Sequence, residues 1–494
     1  MNKICLALLS ALICIVHGGT IFSESKLPFD LKPTCNVSLE FGNIIKGHDK
    51  NVGDLNDVWM EKTIIGFGAQ VTYKLRDTLR VAAEMKMFNE YPRYDLGASR
   101  RLYHYPYVRE AQVIHSFLNN ASMSVVGGIG YNPYKYNNDV RNLGEYLFRS
   151  TAYPQTLSTE FDYPYARLLG GYVKARFFNQ VNVDVLAASN QEYMAVHDIN
   201  LAILGSWKPG PVFEMGAGVC FGSLFSADST KTRPLEDIAS GYIDTVNGKP
   251  DTLYYTFAGT KLMARMSFDP KRFFTSDGFG GFLGENDLRI YSEAALLGTD
   301  NYPRAIKSPV WYMNPLQRIP VLIGLTWPTN PWLACISPVV PAALSYVLDP
   351  THTFSGADAT RLSVTGGAGL VVGAGLWYLE KKLARKLRFD EISVEAQWWG
   401  NPYPNSQQGI VIDGLPLPFA SGTSAIQDSA IYKSDNWKWS IYAKKIFAGH
   451  YSLTVQAASD HMRTFALDWS RQDWEESLRG PSNWCYIVKL GALF

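Results

Sequence analysis

The chain has 494 residues, with 46 Lys and Arg against 45 Asp and Glu, a formal net charge of +1. That balance argues against nucleic acid as a partner, since domains that bind it carry a basic patch. Hydrophobic residues reach 47% and charged ones only 18% while the mean hydropathy is −0.09, and aromatics at 13% with 41 Gly are spread over many short segments. This suits a lipid-facing β-sheet better than a large helical enzyme.

In chain order, Asn2-Lys3 supply a short positive start, and Ile4 to Val16 form an uncharged apolar run. The run is short for a membrane helix and has the length of a signal-peptide core. Cleavage is expected after Gly18 or Ser23, so residues 1–23 are excluded from the fold and the mature chain is placed beyond the inner membrane. Cys14 would suit a lipoprotein, but the large Ile13 before it makes a poor lipobox. The cysteines left, Cys35, Cys220, Cys335 and Cys485, have the spacing of no zinc or redox motif and are expected to be unpaired.

Beyond the leader the dominant signal is period two. Arg80, Ala82, Glu84 and Lys86 alternate with Val81, Ala83, Met85 and Met87; Glu391, Ser393, Glu395 and Gln397 alternate with Ile392, Val394, Ala396 and Trp398. Successive strand side chains point to opposite sides, so such a segment has one wet and one greasy wall. Candidate strands begin near Asn36, Thr63, Leu79, Glu110, Ala121, Arg167, Val181, Asp198, Val212, Leu253, Asn286, Arg318, Asp390, Trp437, His450 and Trp484. Short connections such as 76–78, 119–120, 179–180, 208–211 and 447–449 alternate with long ones such as 90–109, 132–166, 222–252 and 400–436. Long loops opposite short turns are the pattern of an up-and-down transmembrane barrel, with the long loops extracellular and the turns periplasmic. Leu143 to Thr151 is a further strand candidate, but counting it breaks the alternation, so it is placed within a loop. Trp207, Trp327, Trp398, Trp399, Trp437, Trp439 and Trp484 fall at strand ends and suit interface girdles.

Residues 328–389 stand where a turn is due and are far too long for one. Leu376, Leu379, Leu383 and Leu387 recur at helical spacing, which predicts a partly helical insert on the periplasmic side. Two more strands, raising the barrel from about sixteen to eighteen, are the alternative. Gly367, Gly369 and Gly373 lack the spacing and the βαβ unit of a nucleotide loop, and are read as close packing.

Back from Phe494, alternate positions hold Ala492, Leu490, Val488, Tyr486 and Trp484. With the leader and the alternating strands, this resembles the bacterial outer-membrane β-barrel class, over roughly residues 35–494. The resemblance implies an antiparallel barrel in the outer membrane. It also implies that Trp484, Tyr486, Val488, Leu490 and Phe494 form the segment read by the barrel-assembly machinery. Trimers are common among porins of that class.

No metal helix, nucleophile elbow or P-loop occurs. Ser459-Asp460-His461 has the residue types of a triad, yet neighbours on a strand face opposite ways and cannot line up. No catalytic residue, metal or cofactor is therefore assigned. Alternation puts Glu84, Lys86, Lys261, Arg265, Glu391, Glu395 and Lys438 on the wet face as lumen-lining candidates. Both signs occur, so a pore would select weakly by charge. Tyr91, Tyr105, Tyr134, Tyr153 and Tyr163 belong to a Tyr-rich stretch with repeated Tyr-Pro pairs, whose rings suit stacking on sugars or simple packing of the loops. The expectation is a porin-like channel for passive diffusion of small polar solutes, saccharides included. The alternative is a non-conducting scaffold or adhesion barrel whose surface loops bind a partner and whose lumen is plugged.

Overall fold

A computed structural model describes residues 29–49, 53–73, 79–90, 103–149, 165–189, 199–225, 259–273, 286–299, 319–329, 389–399, 437–460 and 480–494, with a few short pieces between them. The leader 1–23 and residues 330–388 of the insert lie outside the described residues. The first eight barrel strands are β1 (Phe29–Lys46), β2 (Val58–Tyr73), β3 (Leu79–Glu90), β4 (Tyr103–Asn119), β5 (Met123–Tyr134), β6 (Tyr165–Phe177), β7 (Val181–Ser189) and β8 (Ile199–Trp207). The second eight are β9 (Phe213–Phe225), β10 (Gly259–Phe268), β11 (Ile290–Leu296), β12 (Pro320–Thr326), β13 (Glu391–Trp399), β14 (Trp437–Phe447), β15 (Tyr451–Ser459) and β16 (Trp484–Leu493).

Each strand pairs antiparallel with the next, and β16 pairs back onto β1 from Asn36↔Leu493 to Lys46↔Trp484, so sixteen strands close a ring. Closure leaves no sheet edge to satisfy in a medium without water. Every expected strand has its counterpart here. The insert does not add to the ring: β12 and β13 on either side of it pair directly, from Pro320↔Trp399 to Thr326↔Ser393. The eighteen-stranded alternative is thereby set aside.

The two faces are inverted relative to a water-soluble protein. Leu39, Ile129, Ile203, Leu262, Ile323 and Ile441 are exposed, whereas Glu395, Gln397, Ser440, Thr454 and Gln456 are buried. Greasy residues out and polar residues in is what alternation gives when the outer solvent is lipid. Aromatic rings gather at both ends. Trp398 stands opposite Trp437, Trp439 lies 6.4 Å from Trp484, and Phe41 stacks on Trp59 at 6.3 Å at the long-loop end. Phe494 sits beside His450 and Tyr451, and Phe268 beside Phe273, at the short-turn end. Two of the short turns have both central residues at positive φ, Phe178-Asn179 and Ala448-Gly449. That geometry matches the twist of the strands it joins. Cys35, Cys220 and Cys485 are buried; Cys335 lies outside the described residues.

Candidate functional site

After β5 the chain turns into the barrel. Residues 135–149 run along the inner wall to the far side, ending in one helical turn, Tyr146–Arg149. Residues 143–149 are thus lumen-filling loop with no strand, as the alternation of connections required; 150 and 151 lie outside the described residues. Its apolar side chains explain why it stays inside. Val140, Leu143, Tyr146, Leu147 and Phe148 are buried in one cluster with Leu204, Met263, Ala295 and Leu322 of the wall.

The polar groups of the loop are met by wall carboxylates. Glu395 Oε1 accepts from the Arg141 N–H at 2.6 Å and from the Tyr291 hydroxyl at 2.9 Å; Oε2 accepts from the N–H groups of Asn142 and Leu143 at 3.1 and 3.0 Å. Three consecutive backbone donors closing on one carboxylate make an anion nest. Tyr291 reaches Glu395 across Gly324, where any Cβ would overlap its ring. Beside this, the Arg141 guanidinium pairs with Glu391 at 2.5 Å, and Asn142 Nδ2 donates to Ser440 Oγ at 2.8 Å. Burial alone would lower the Arg141 pKa, but the charge of Glu391 and its hydrogen bond outweigh that and raise it. Farther along, Glu293 accepts from the Tyr146 N–H at 2.6 Å and Asn137 Nδ2 at 2.9 Å; Tyr146 donates its hydroxyl to Gln397 at 2.8 Å. Lys261 Nζ donates to the Leu147 carbonyl at 3.2 Å, Arg289 pairs with Asp139 at 2.7 Å, and the Tyr136 hydroxyl donates to the Gly205 carbonyl at 2.6 Å.

Inside the loop, Gly144 takes φ +85° and Glu145 φ +57°, a left-handed pair that folds Glu145 back on its own chain. There Glu145 accepts the N–H of Asn137 at 2.6 Å. Burial, then the neighbouring charge of Glu293, push its carboxyl up to about 8, with Lys135 and the backbone donors pulling the other way. A carboxyl raised in the attached loop stabilises attachment most where it is protonated, below its ordinary range near 4.5, and this contribution is lost as pH rises through about 8. Conductance steps should therefore grow and become noisier above pH about 8, and Glu145→Gln should flatten that dependence. A flat wild-type profile across that range refutes the linkage.

The wall candidates fall around this loop. Glu391, Glu395, Lys261 and Arg265 touch it directly, Arg265 by lying 4.6 Å from the Tyr136 ring while pairing with Glu214 at 2.6 Å. Glu84 is elsewhere on the ring, accepting from Asn36 Nδ2 at 2.8 Å and paired with Arg109. Lys438 is buried and donates to the Leu478 carbonyl, holding the loop before β16 over the rim. Lys86 stands opposite Gly66 in register, but its side chain lies outside the described residues. Among the aromatic candidates, Tyr134 is buried with its ring edge-on to Phe148, and its hydroxyl donates to Asp184 at 2.7 Å, which commits it to packing at the loop base. Tyr105 pairs with Phe88 in register and its side chain lies outside the described residues, as do Tyr91, Tyr153 and Tyr163 altogether. Ser459 donates to the Gly480 carbonyl and Asp460 accepts from Gln456, two separate contacts; His461 lies outside the described residues. Asn137, Arg141, Asn142, Glu145, Tyr291 and Glu293 were missed. For the loop residues the one signal was the neighbouring stretch from Leu143 to Thr151, which by periodicity alone reads as a strand, whereas Tyr291 and Glu293 share the inward parity of the strand expected near Asn286.

No protein-family model and no curated protein matches the sequence. Among solved structures the chain is similar to OprB of Pseudomonas putida, at 8% identity over 97% of each chain with a TM-score of 0.47. It is also similar to OmpF of Salmonella typhi in complex with daunomycin, at 9% identity over 94% of this chain and 97% of that one with a TM-score of 0.41. A mutant of the Rh. blastica porin follows at 9% identity, 94% and 100% coverage and a TM-score of 0.37. By its own ring of strands and its inward loop, the chain is a porin-like sixteen-stranded β-barrel.

Proposed function

We propose that the protein is an outer-membrane channel for passive diffusion of small polar solutes, narrowed by the loop 135–149. The observation that carries this is the placement of the loop: its hydrogen bonds named above fall on the arc from β8 to β14. The remaining arc, through β15, β16 and β1 to β4, keeps half-buried polar inward positions such as Lys489, Gln70 and Glu84 for a passage. Sixteen strands make a ring wide enough for both a loop and a channel. Several wall charges are internally paired, Glu40 with Lys489 and Glu214 with Arg265 among them, so charge selectivity from those residues is mild.

Single-channel recording of the refolded protein in a planar bilayer tests the reading. Steady openings are expected, and blockade by added oligosaccharides would identify saccharides among the solutes. A silent but heat-modifiable barrel would favour the second reading, a plugged surface scaffold, which draws on the apolar packing of residues 140–148 inside the ring. In either case the strand β16, sealed against β1 and followed by Phe494, is the segment that the assembly machinery would read, and the trimer common among porins is the assembly to test for.

Orientation has its own test. Cysteines introduced at Ser406 and Thr159, in long connections, should react with a membrane-impermeant maleimide on intact cells, whereas ones at Asn119 and Lys208 should not. The resident Cys35, Cys220 and Cys485 are buried and should stay silent. Reaction confined to the second pair would invert the assigned topology.

A further inference from the structure

Among the described residues, the inner wall of one arc carries more cations than carboxylates. Glu84 is matched by Arg109, Glu391 by Arg141, Asp139 by Arg289 and Asp269 by Lys271. Toward the short-turn end of the arc β3 to β6 stand three inward cations that make no ion pair among the described residues: Arg80 on β3, with Lys174 and Arg176 on β6. Register puts them around one bay. Arg80 is opposite Ile114, Ile114 opposite Gly128, and Gly128 opposite Tyr172, with Lys174 and Arg176 the next two inward positions on β6. The positions between are small or short, Ser124, Val126 and Gly128 on β5. With strands about 4.8 Å apart, long side chains from β3 and β6 can reach over the same floor.

Lys174 is held by two aromatic rings and faces the Asp184 carboxylate, which makes no ion pair with it. Its Nζ lies 4.9 Å from the centre of the Tyr134 ring and 5.0 Å from that of Tyr172. Tyr172 is itself fixed by donating to Gln112 at 2.9 Å. Asp184 stands opposite Lys174 in register; its carboxylate accepts from the Tyr134 hydroxyl at 2.7 Å and faces both Lys174 and Arg176, so one negative charge stands against two positive ones. Arg176 is exposed and donates through Nε to the neutral Asn182, at 3.1 Å, and the Asp184 carboxylate offsets only part of its charge. Two aromatic faces orient the ammonium, as cation–π contacts do, while leaving its N–H donors for another acceptor.

We propose that Arg80, Lys174 and Arg176 form an oxyanion station in the lumen, taking phosphate or carboxylate groups of solutes and giving the channel a preference for anions. The proposal rests on the channel reading for its transport consequence, but the binding itself does not. Guanidinium groups present paired donors to such oxygens, and an ammonium adds a compact charge.

Two measurements separate the binding from the transport. The first is calorimetric titration of the refolded, detergent-solubilised barrel with inorganic phosphate, for the wild type and for the triple variant Arg80→Gln, Lys174→Gln, Arg176→Gln. The wild type should bind and the variant lose at least ten-fold in affinity, with the single variant Lys174→Gln between them. The second is the reversal potential across a potassium chloride gradient, expected to report anion preference in the wild type and to move toward neutrality or cation preference in the triple variant. Heat-modifiable migration of the variants verifies that the barrel is intact. Absence of phosphate binding by the wild type, or equal binding by an intact triple variant, overturns the station whether or not the protein conducts. Phosphate binding by a barrel that never conducts keeps the station and overturns the channel reading alone.

Discussion

Replacing Glu395 with Ala should free the tip of the inward loop and raise single-channel conductance several-fold. Glu395 is the one acceptor shared by the N–H groups of Arg141, Asn142 and Leu143 and by the Tyr291 hydroxyl. Each donor stranded in a dry site costs roughly 1–3 kcal/mol. Against this stands the burial of Val140 and Leu143 at the tip, about 1.5–3 kcal/mol for each side chain. Moving the tip relieves its three backbone donors, together roughly 3–9 kcal/mol, against about 3–6 kcal/mol for the two side chains, so the tip moves to water; Tyr291 stays on the wall. The helical turn should remain, because Tyr146 and Asn137 still have Glu293 and Tyr146 still has Gln397. Glu395→Gln, which keeps one acceptor oxygen, should fall between wild type and Glu395→Ala. Limited proteolysis near Arg141 gives an independent readout, with faster cleavage in the Ala variant. Unchanged conductance and unchanged cleavage together would show that apolar packing alone holds the tip.

Ile323→Arg should destabilise the barrel in a bilayer by about 2–4 kcal/mol, the cost of a cation at the midplane of a lipid-facing wall. Ile323 lies at the centre of β12, is 59% exposed and faces outward between the inward Leu322 and Gly324. Ile323→Leu should be close to neutral. The measurement is the urea unfolding midpoint in lipid vesicles, with the Leu variant as reference. A penalty for Arg below about 1 kcal/mol, the value at the interface, would mean that this face is not at the hydrocarbon core.

How much of this was legible beforehand follows from what each feature depends on. A strand of a membrane barrel sees two solvents, so each of its residues is chosen by its own parity, and Val81, Met85, Ile323 and Val394 record the outer solvent independently of every other strand. The connections carry equally local signals. Asn120, whose side chain accepts from the N–H of Ser122 and Met123, marks a turn by its own chemistry. For these reasons the strand number, the short and long alternation and the face of Glu391, Glu395, Lys261 and Arg265 could be read one segment at a time.

The loop 135–149 could not be read in that way. Its fastening joins residues up to 298 positions apart, as between Asn142 and Ser440, and nothing local in Val140-Arg141-Asn142-Leu143 says that a carboxylate waits on the thirteenth strand. Tyr134 shows the same limit: its sequence context fits a sugar platform as well as a packing residue, and the neighbours Phe148 and Asp184 decide for packing. Pairing of charges is likewise a tertiary outcome. The sequence by itself determined a closed, alternating barrel with both charge signs inside, because parity and turn chemistry are local. Only the tertiary structure decided which charges cancel, where the loop crosses and which arc of wall is left to solutes, because those depend on contacts between strands far apart in the chain.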